Sequence, residues 1–252
     1  MRRHVIPYVV LWMALTVIGL AVVGVTDLEP VQGSEEAVVV DDAFRFLVVL
    51  SVPVFAFVVV ALGYSVVTFR VPGAPTADAP AVRETRAIPL VWLIVTSALA
   101  ILLIVNPGIT GMAALGLGGF AERPADLVVK VEAEQWNWTV TYEGLGVTLT
   151  KATEVILPAG RRVRFDVTST DIVHSLWIPA FRVKIDAVPG LTTSVSTTPT
   201  RTGSFEADPL YRLQCAELCG TGHARMVSRV TVLEPAAFER RMAELRQRAA
   251  AP

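Results

Sequence analysis

LVVKVEA, residues 127–133, and QWNWTVTYE, residues 135–143, each alternate apolar and polar side chains. A period of two marks a half-buried β-strand, because successive side chains point to opposite faces. The same period recurs in RRVRFDVT, residues 161–168, and MVSRVTVL, residues 226–233, with turn formers such as Pro158-Ala159-Gly160 and Pro189-Gly190 between the runs. Short strands spaced in this way predict an antiparallel β-sandwich or barrel over residues 122–234. The last stretch, residues 235–252, opens on Pro235 and is rich in Ala, Glu and Arg, which predicts a surface helix or tail.

Upstream the texture changes. Residues 5–25, residues 47–69 and the stretch from Ala87 to Ala121 contain no charged side chain. Of the 252 residues 53% are hydrophobic and only 18% charged, which suits a partly membrane-embedded chain better than a soluble enzyme. Crossing a bilayer takes roughly 20 apolar residues in a helix. Residues 43–121 are therefore expected to form a transmembrane hairpin, with helices at about 46–70 and 87–107. Residues 1–26 read either as an extra membrane helix or as a secretory signal, since Arg2 and Arg3 precede the apolar run. That run exceeds the usual signal core of about 7–15 residues, and no small-residue cleavage site follows it. Arg2 and Arg3, and then Arg70, Arg83 and Arg86 between the two long segments, set those parts on the cytoplasmic side. The acidic loop with Glu35, Glu36, Asp41 and Asp42 falls outside, as does everything after residue 121. A net charge of −1 gives no reason to expect a nucleic-acid partner.

The chemistry is concentrated in CAELCGTGHARM, residues 215–226. Both cysteines of the chain, Cys215 and Cys219, lie here, followed by His223 and Met226. A disulfide or a pair of buried thiols would account for the cysteines, but for neither His223 nor Met226. Thiolate, imidazole and thioether together suit copper. A mononuclear blue-copper site would need one cysteine fewer, whereas two thiolates can bridge two copper ions. The second imidazole would then be His174, on a neighbouring strand or loop. Zinc on two Cys and two His stays open as an alternative, and leaves Met226 without a role.

With CAELCGTGHARM, the segments STDIVHSLWIPAFRVKIDAVPG (169–190) and QWNW (135–138) make the chain resemble the subunit II family of cytochrome c oxidase, among the haem–copper oxidases, from Phe44 onward. The resemblance implies a helical hairpin followed by a cupredoxin-like Greek-key sandwich carrying a binuclear CuA centre. Cys215 and Cys219 would bridge the coppers, His174 and His223 would be terminal ligands, and Met226 and the carbonyl of Glu217 weak ones. The side chain of Glu217 would reach a magnesium ion shared with subunit I. Trp136 would receive electrons from cytochrome c, and haem-bearing subunit I, with subunit III, would reduce O2 and pump protons. Asp171 and Asp186 match docking acids of the family. Glu84 is the nearest counterpart of a proton-conducting glutamate, although RETRAIPLVW, residues 83–92, lacks the expected following tryptophan. Asn137 stands where the family usually has an aromatic residue. The competing readings are a membrane-tethered copper carrier or store, a quinol oxidase subunit, which would lack these ligands, and the copper domain of nitrous oxide reductase, which would need a larger chain. The resemblance also implies an inner-membrane, multi-pass protein with its copper domain on the periplasmic side.

Overall fold

The computed structural model describes residues 2–70, 73, 87–117 and 123–250, without the side chains of Arg2, Arg3 and Ala250. Arg83, Glu84 and Arg86 lie outside the described residues. The chain divides into two compact units, one of residues 1–28 and 42–114 and the other of residues 29–41 and 115–252.

Among the described residues, three helices are long and apolar enough to cross a membrane: His4–Val25, Glu35–Thr68 and Ala87–Leu115. The first belongs to α1 (Arg2–Val25), the second is α2 (Glu35–Thr68), and the third is made of α3 (Ala87–Leu103) and α4 (Thr110–Leu115) with a π-type segment between them. The break falls at Asn106 (φ −136°, ψ 117°), because a residue before proline is pushed out of the helical region. The helical path thus runs on to Leu115, past the end expected at about residue 107 from the break at Asn106-Pro107-Gly108. Trp12 and Tyr8 stand one turn apart on α1, and their side chains donate to the Pro53 carbonyl (2.8 Å) and the Phe57 carbonyl (3.2 Å) of α2. One turn further back, His4 Nδ1 is 3.0 Å from the Tyr64 hydroxyl. Side chains four apart share a helix face, so α1 meets α2 along a row of aromatic and polar contacts.

The start of α2 corrects the expectation of a loop up to about residue 46. Ser34 Oγ accepts the Ala37 N–H at 3.1 Å, and Glu35 and Glu36 occupy the first turn. A serine cap followed by acids stabilises a helix N-terminus against its unpaired N–H groups and its dipole. The acidic run is therefore helix, and the S-E-E-A signal lay in the sequence.

The second unit is a two-sheet sandwich. Its strands are β1 (Leu127–Glu134), β2 (Asn137–Tyr142), β3 (Val147–Leu149), β4 (Glu154–Pro158), β5 (Val163–Ser169), β6 (His174–Ile178), β7 (Val183–Ala187), β8 (Thr193–Thr197), β9 (Gly203–Ser204), β10 (Arg212–Cys215) and β11 (Val227–Leu233). One sheet has the order β3-β2-β1-β5-β8, and the other β4-β11-β10-β6-β7 with β9 also on β11. Most pairings are antiparallel, but β1 with β5 and β4 with β11 are parallel, a pairing that alternation along a strand does not reveal. Val129, Val131 and Ala133 of β1 and Phe165 and Val167 of β5 are fully buried, as are Leu176, Leu213, Val230 and Val232 of the other sheet. Helix α5 (Pro235–Ala250) adds Phe238 and Met242 to this core.

The sandwich also takes in residues that the sequence reading left outside residues 122–234. Residues 29–41 are bound into it: Ser34 bridges Pro199, Gly33 N–H donates to the Ala180 carbonyl (2.8 Å), and Glu35 N–H to that of Thr198 (3.0 Å). The Glu36 carboxylate accepts from Arg162 Nη1 (3.2 Å), Thr197 Oγ1 (2.9 Å) and the Thr198 N–H (2.8 Å). Arg182 grips Asp41 with two N–H groups (2.9 and 3.0 Å) and reaches the Pro30 and Val31 carbonyls. Polar groups are affordable in this interior only because each charge has a partner. The Glu36–Arg162 pair is more than nine-tenths buried on both sides. Replacing Glu36 by alanine strands a buried guanidinium and should cost about 3–5 kcal/mol of stability. Glu143→Ala, which breaks an exposed pair with Lys130, should cost at most about 1 kcal/mol. Thermal unfolding of the two full-chain variants compares them directly.

Candidate metal centre

The donor cluster is assembled by strand pairing. His174 opens β6 and Cys215 closes β10, and the antiparallel register sets Cys215 opposite Leu176. The chain then loops through residues 216–222, makes a single 3-10 turn at His223–Arg225 and enters β11 after Met226. The Cys215 N–H donates to the Met226 carbonyl (3.0 Å) and the Ala216 N–H to that of Ser175 (2.9 Å), so both ends of the loop are pinned to neighbouring strands.

Cys215 and Cys219 are free thiols with their sulfurs 3.7 Å apart. A disulfide bond is about 2.05 Å long, so the disulfide reading fails on geometry. The ligand atoms of His174, Cys215 and Cys219 lie within 4.8 Å of one another, and all three residues are buried. On one side His174 Nδ1 is 3.9 Å from Cys215 Sγ; on the other, His223 Nδ1 is 3.5 Å from Cys219 Sγ. Met226 Sδ, also buried, lies 3.9 Å from Cys219 Sγ, and the Glu217 carbonyl 3.1 Å from Cys215 Sγ. The Glu217 side chain is exposed.

Burial, together with the neighbouring Cys215 thiol, pushes the Cys219 thiol up to about 12, so without a cation it holds its proton at neutral pH. Thiolates in such a place require a cation to draw the proton off. The donors facing the cluster are two sulfurs, two imidazole nitrogens and a buried thioether, a soft set that fits copper. A four-ligand zinc site would leave Met226 unused.

Asp171 stands directly behind His174. Its Oδ1 accepts from His174 Nε2 (2.8 Å) and the Ile172 N–H (2.6 Å), and its Oδ2 from the Gln135 N–H (2.7 Å). Burial opposes its ionisation, but the hydrogen bonds from His174, Ile172 and Gln135 outweigh burial and hold the carboxyl at about 2. An ionised carboxylate on Nε2 fixes that nitrogen as the protonated one and leaves the Nδ1 lone pair facing the sulfurs. The D-x-x-H spacing was the signal for this. Asp186, the other docking candidate, is held by Lys184 and then Ser175, which lower its pKa.

Trp136 is half-buried, and its indole N–H donates to the Cys219 carbonyl at 2.9 Å. The Gln135 side-chain amide donates to the same carbonyl at 2.8 Å. Trp138 is fully buried, packing edge-on against the His174 ring at 6.4 Å between centroids. Of the two tryptophans, Trp136 thus sits on the ligand loop and Trp138 in the core.

Residues 143–233 match the family described as cytochrome C oxidase subunit II, periplasmic domain. Cytochrome c oxidase subunit 2 of Thermostichus vulcanus is 26% identical over 84% of this chain and 76% of its own length. The subunit 2 of Alkalihalophilus pseudofirmus is 32% identical over 61% of this chain and 43% of its own. Over the family-matched residues 143–233 the chain is similar to subunit II of cytochrome c oxidase. Members of that family are part of the haem–copper oxidase complex. Among solved structures, the periplasmic domain of subunit II of cytochrome oxidase (CoxB) of Bradyrhizobium japonicum is 30% identical. It covers 51% of this chain and 99% of its own, with a TM-score of 0.46. The stretch that matches the family holds His174, Cys215, Glu217, Cys219, His223 and Met226, whereas Trp136 precedes it.

Asp171→Asn keeps the shape but gives up the carboxylate behind His174. Loss of such a partner typically costs about 10–100-fold in metal affinity. Competition for copper between the full-chain variant and a chelator should show a drop of that size, with the unfolding temperature little changed.

Proposed function

We propose that this chain is the electron-accepting subunit of a terminal cytochrome c oxidase, taking electrons from cytochrome c at a binuclear CuA centre and relaying them to haem in subunit I. The observation that carries this reading is the pair of free, buried sulfurs 3.7 Å apart with one imidazole Nδ1 beside each. Cys215 and Cys219 would be the bridging ligands, His174 and His223 the terminal ones, and Met226 and the Glu217 carbonyl the weak ones. Copper held there supplies a one-electron relay.

The protein's own part is to keep this donor set still and dry, since a relay works fastest when its ligands move little between redox states. His174 is held from behind by Asp171, and the loop ends are held by β6 and β11. Cys219, Met226 and His174 are closed off from water. The Trp136 indole, bonded to the carbonyl of a bridging cysteine and partly open to solvent, suits the point where electrons come in. The exposed Glu217 side chain is free to reach a magnesium ion at the boundary with subunit I. Oxygen reduction and proton pumping would belong to subunit I, with subunit III alongside. Three membrane spans, with the N-terminus inside, would carry the sandwich to the periplasmic side of the inner membrane. The packing of α1 on α2 supports the membrane-helix reading of residues 1–26.

The full chain, loaded with copper, should hold two ions sharing one delocalised unpaired electron in the oxidised form. One copper per chain, or zinc held in preference, would sink the binuclear site. Cys219→Ser should abolish the pair while the sandwich stays folded by circular dichroism.

A further inference from the structure

We infer that Gly222 is a positioning residue for the Trp136 indole, an inference that rests on reading Trp136 as the point where electrons come in. A Cβ built on Gly222 would lie 2.2 Å from Trp136 Cδ2, 2.4 Å from Cγ and 2.7 Å from Cε3. Those atoms are at the root and middle of the ring, not at a mobile tip, so no small adjustment of a side-chain end relieves the contact. Gly220, at φ +108°, adopts a backbone conformation that other residues rarely take, and a Cβ there would lie 3.4 Å from Trp136 Cζ2. The two glycines flank Thr221 in the short stretch between ligands Cys219 and His223, so the ligand loop itself forms the seat of the ring. Lying flat there, the indole reaches the Cys219 carbonyl with its N–H.

Any side chain at position 222 must therefore push the ring off the loop. The ring has somewhere to go, because it is only half-buried. The donor atoms need not follow, since Cys219 Sγ is held among Cys215 Sγ (3.7 Å), His223 Nδ1 (3.5 Å) and Met226 Sδ (3.9 Å). Gly222 thus sets the separation between the indole and the bridging thiolate without touching the metal or the donor protein.

Two readouts test this on the full chain. In the metal-free protein labelled with 5-fluorotryptophan, Gly222→Ala should move the Trp136 fluorine resonance towards its solvent-exposed position and leave the Trp138 resonance in place. In the assembled oxidase, Gly222→Ala should slow electron uptake from reduced cytochrome c several-fold, because electron tunnelling weakens steeply as the indole is moved away from the ligand loop. Copper per chain should be unchanged. In a Trp136→Ala background the substitution should have no further effect, since there is no ring left to displace. Thr221→Ala, on the same loop and exposed, should behave as the parent protein. Wild-type uptake and an unmoved resonance in Gly222→Ala would overturn the inference, as would a full effect that persists without Trp136. Copper loss in Gly222→Ala would overturn it too, by making the glycine part of the metal scaffold. Unchanged uptake in Trp136→Ala alone would instead remove the electron-accepting role of that tryptophan, leaving the fluorine shift to decide whether Gly222 seats the ring.

Discussion

The antiparallel pairing of β6 with β10 is the constraint on which the site depends, because His174 and Cys215 are far apart in sequence and only this register sets them side by side. The pairing in turn needs both strands to be buried on the sandwich face, where Leu176, Ile178 and Leu213 leave no freedom to slip. A shift of one residue would send every one of those side chains to the wrong face of the sheet. The hydrophobic core thus determines the distance between an imidazole and a thiol to a precision that no local preference could supply.

Around that pairing the polar groups form one connected support. The turn between β1 and β2 brings the Gln135 backbone to Asp171, its side chain to Cys219, and the Trp136 indole to the same carbonyl. One turn therefore touches the support of His174 and the loop of Cys219 at once. This supports the donor set, with the Asp171 carboxylate holding His174 from behind.

The strap of residues 29–41 extends the same logic away from the site. Its charges, Glu36 and Asp41, are matched by Arg162 and Arg182 of the sandwich. In the sequence those acids looked like an outer loop, and their partners lie more than a hundred residues downstream. Charge patterning could show that the segment was acidic. It could not show that the acids were buried, because burial depends on which arginine stands opposite.

Much was legible in the sequence because local physics decides it. A period of two over residues 127–133 and again over 135–143 demands strands, and an uncharged run of membrane-spanning length demands a lipid or protein interior. Two cysteines, a histidine and a methionine within residues 215–226 name the soft chemistry of the site. Even the start of α2 was available from its serine cap and first-turn acids. Contacts between distant segments were not: the tertiary structure alone decided that β1 and β5 run parallel and that Asp171 stands behind His174. It alone laid the Trp136 ring on Gly222. Each of these follows from how two surfaces meet once the core closes, and a glycine does not announce in sequence what will come to rest against it.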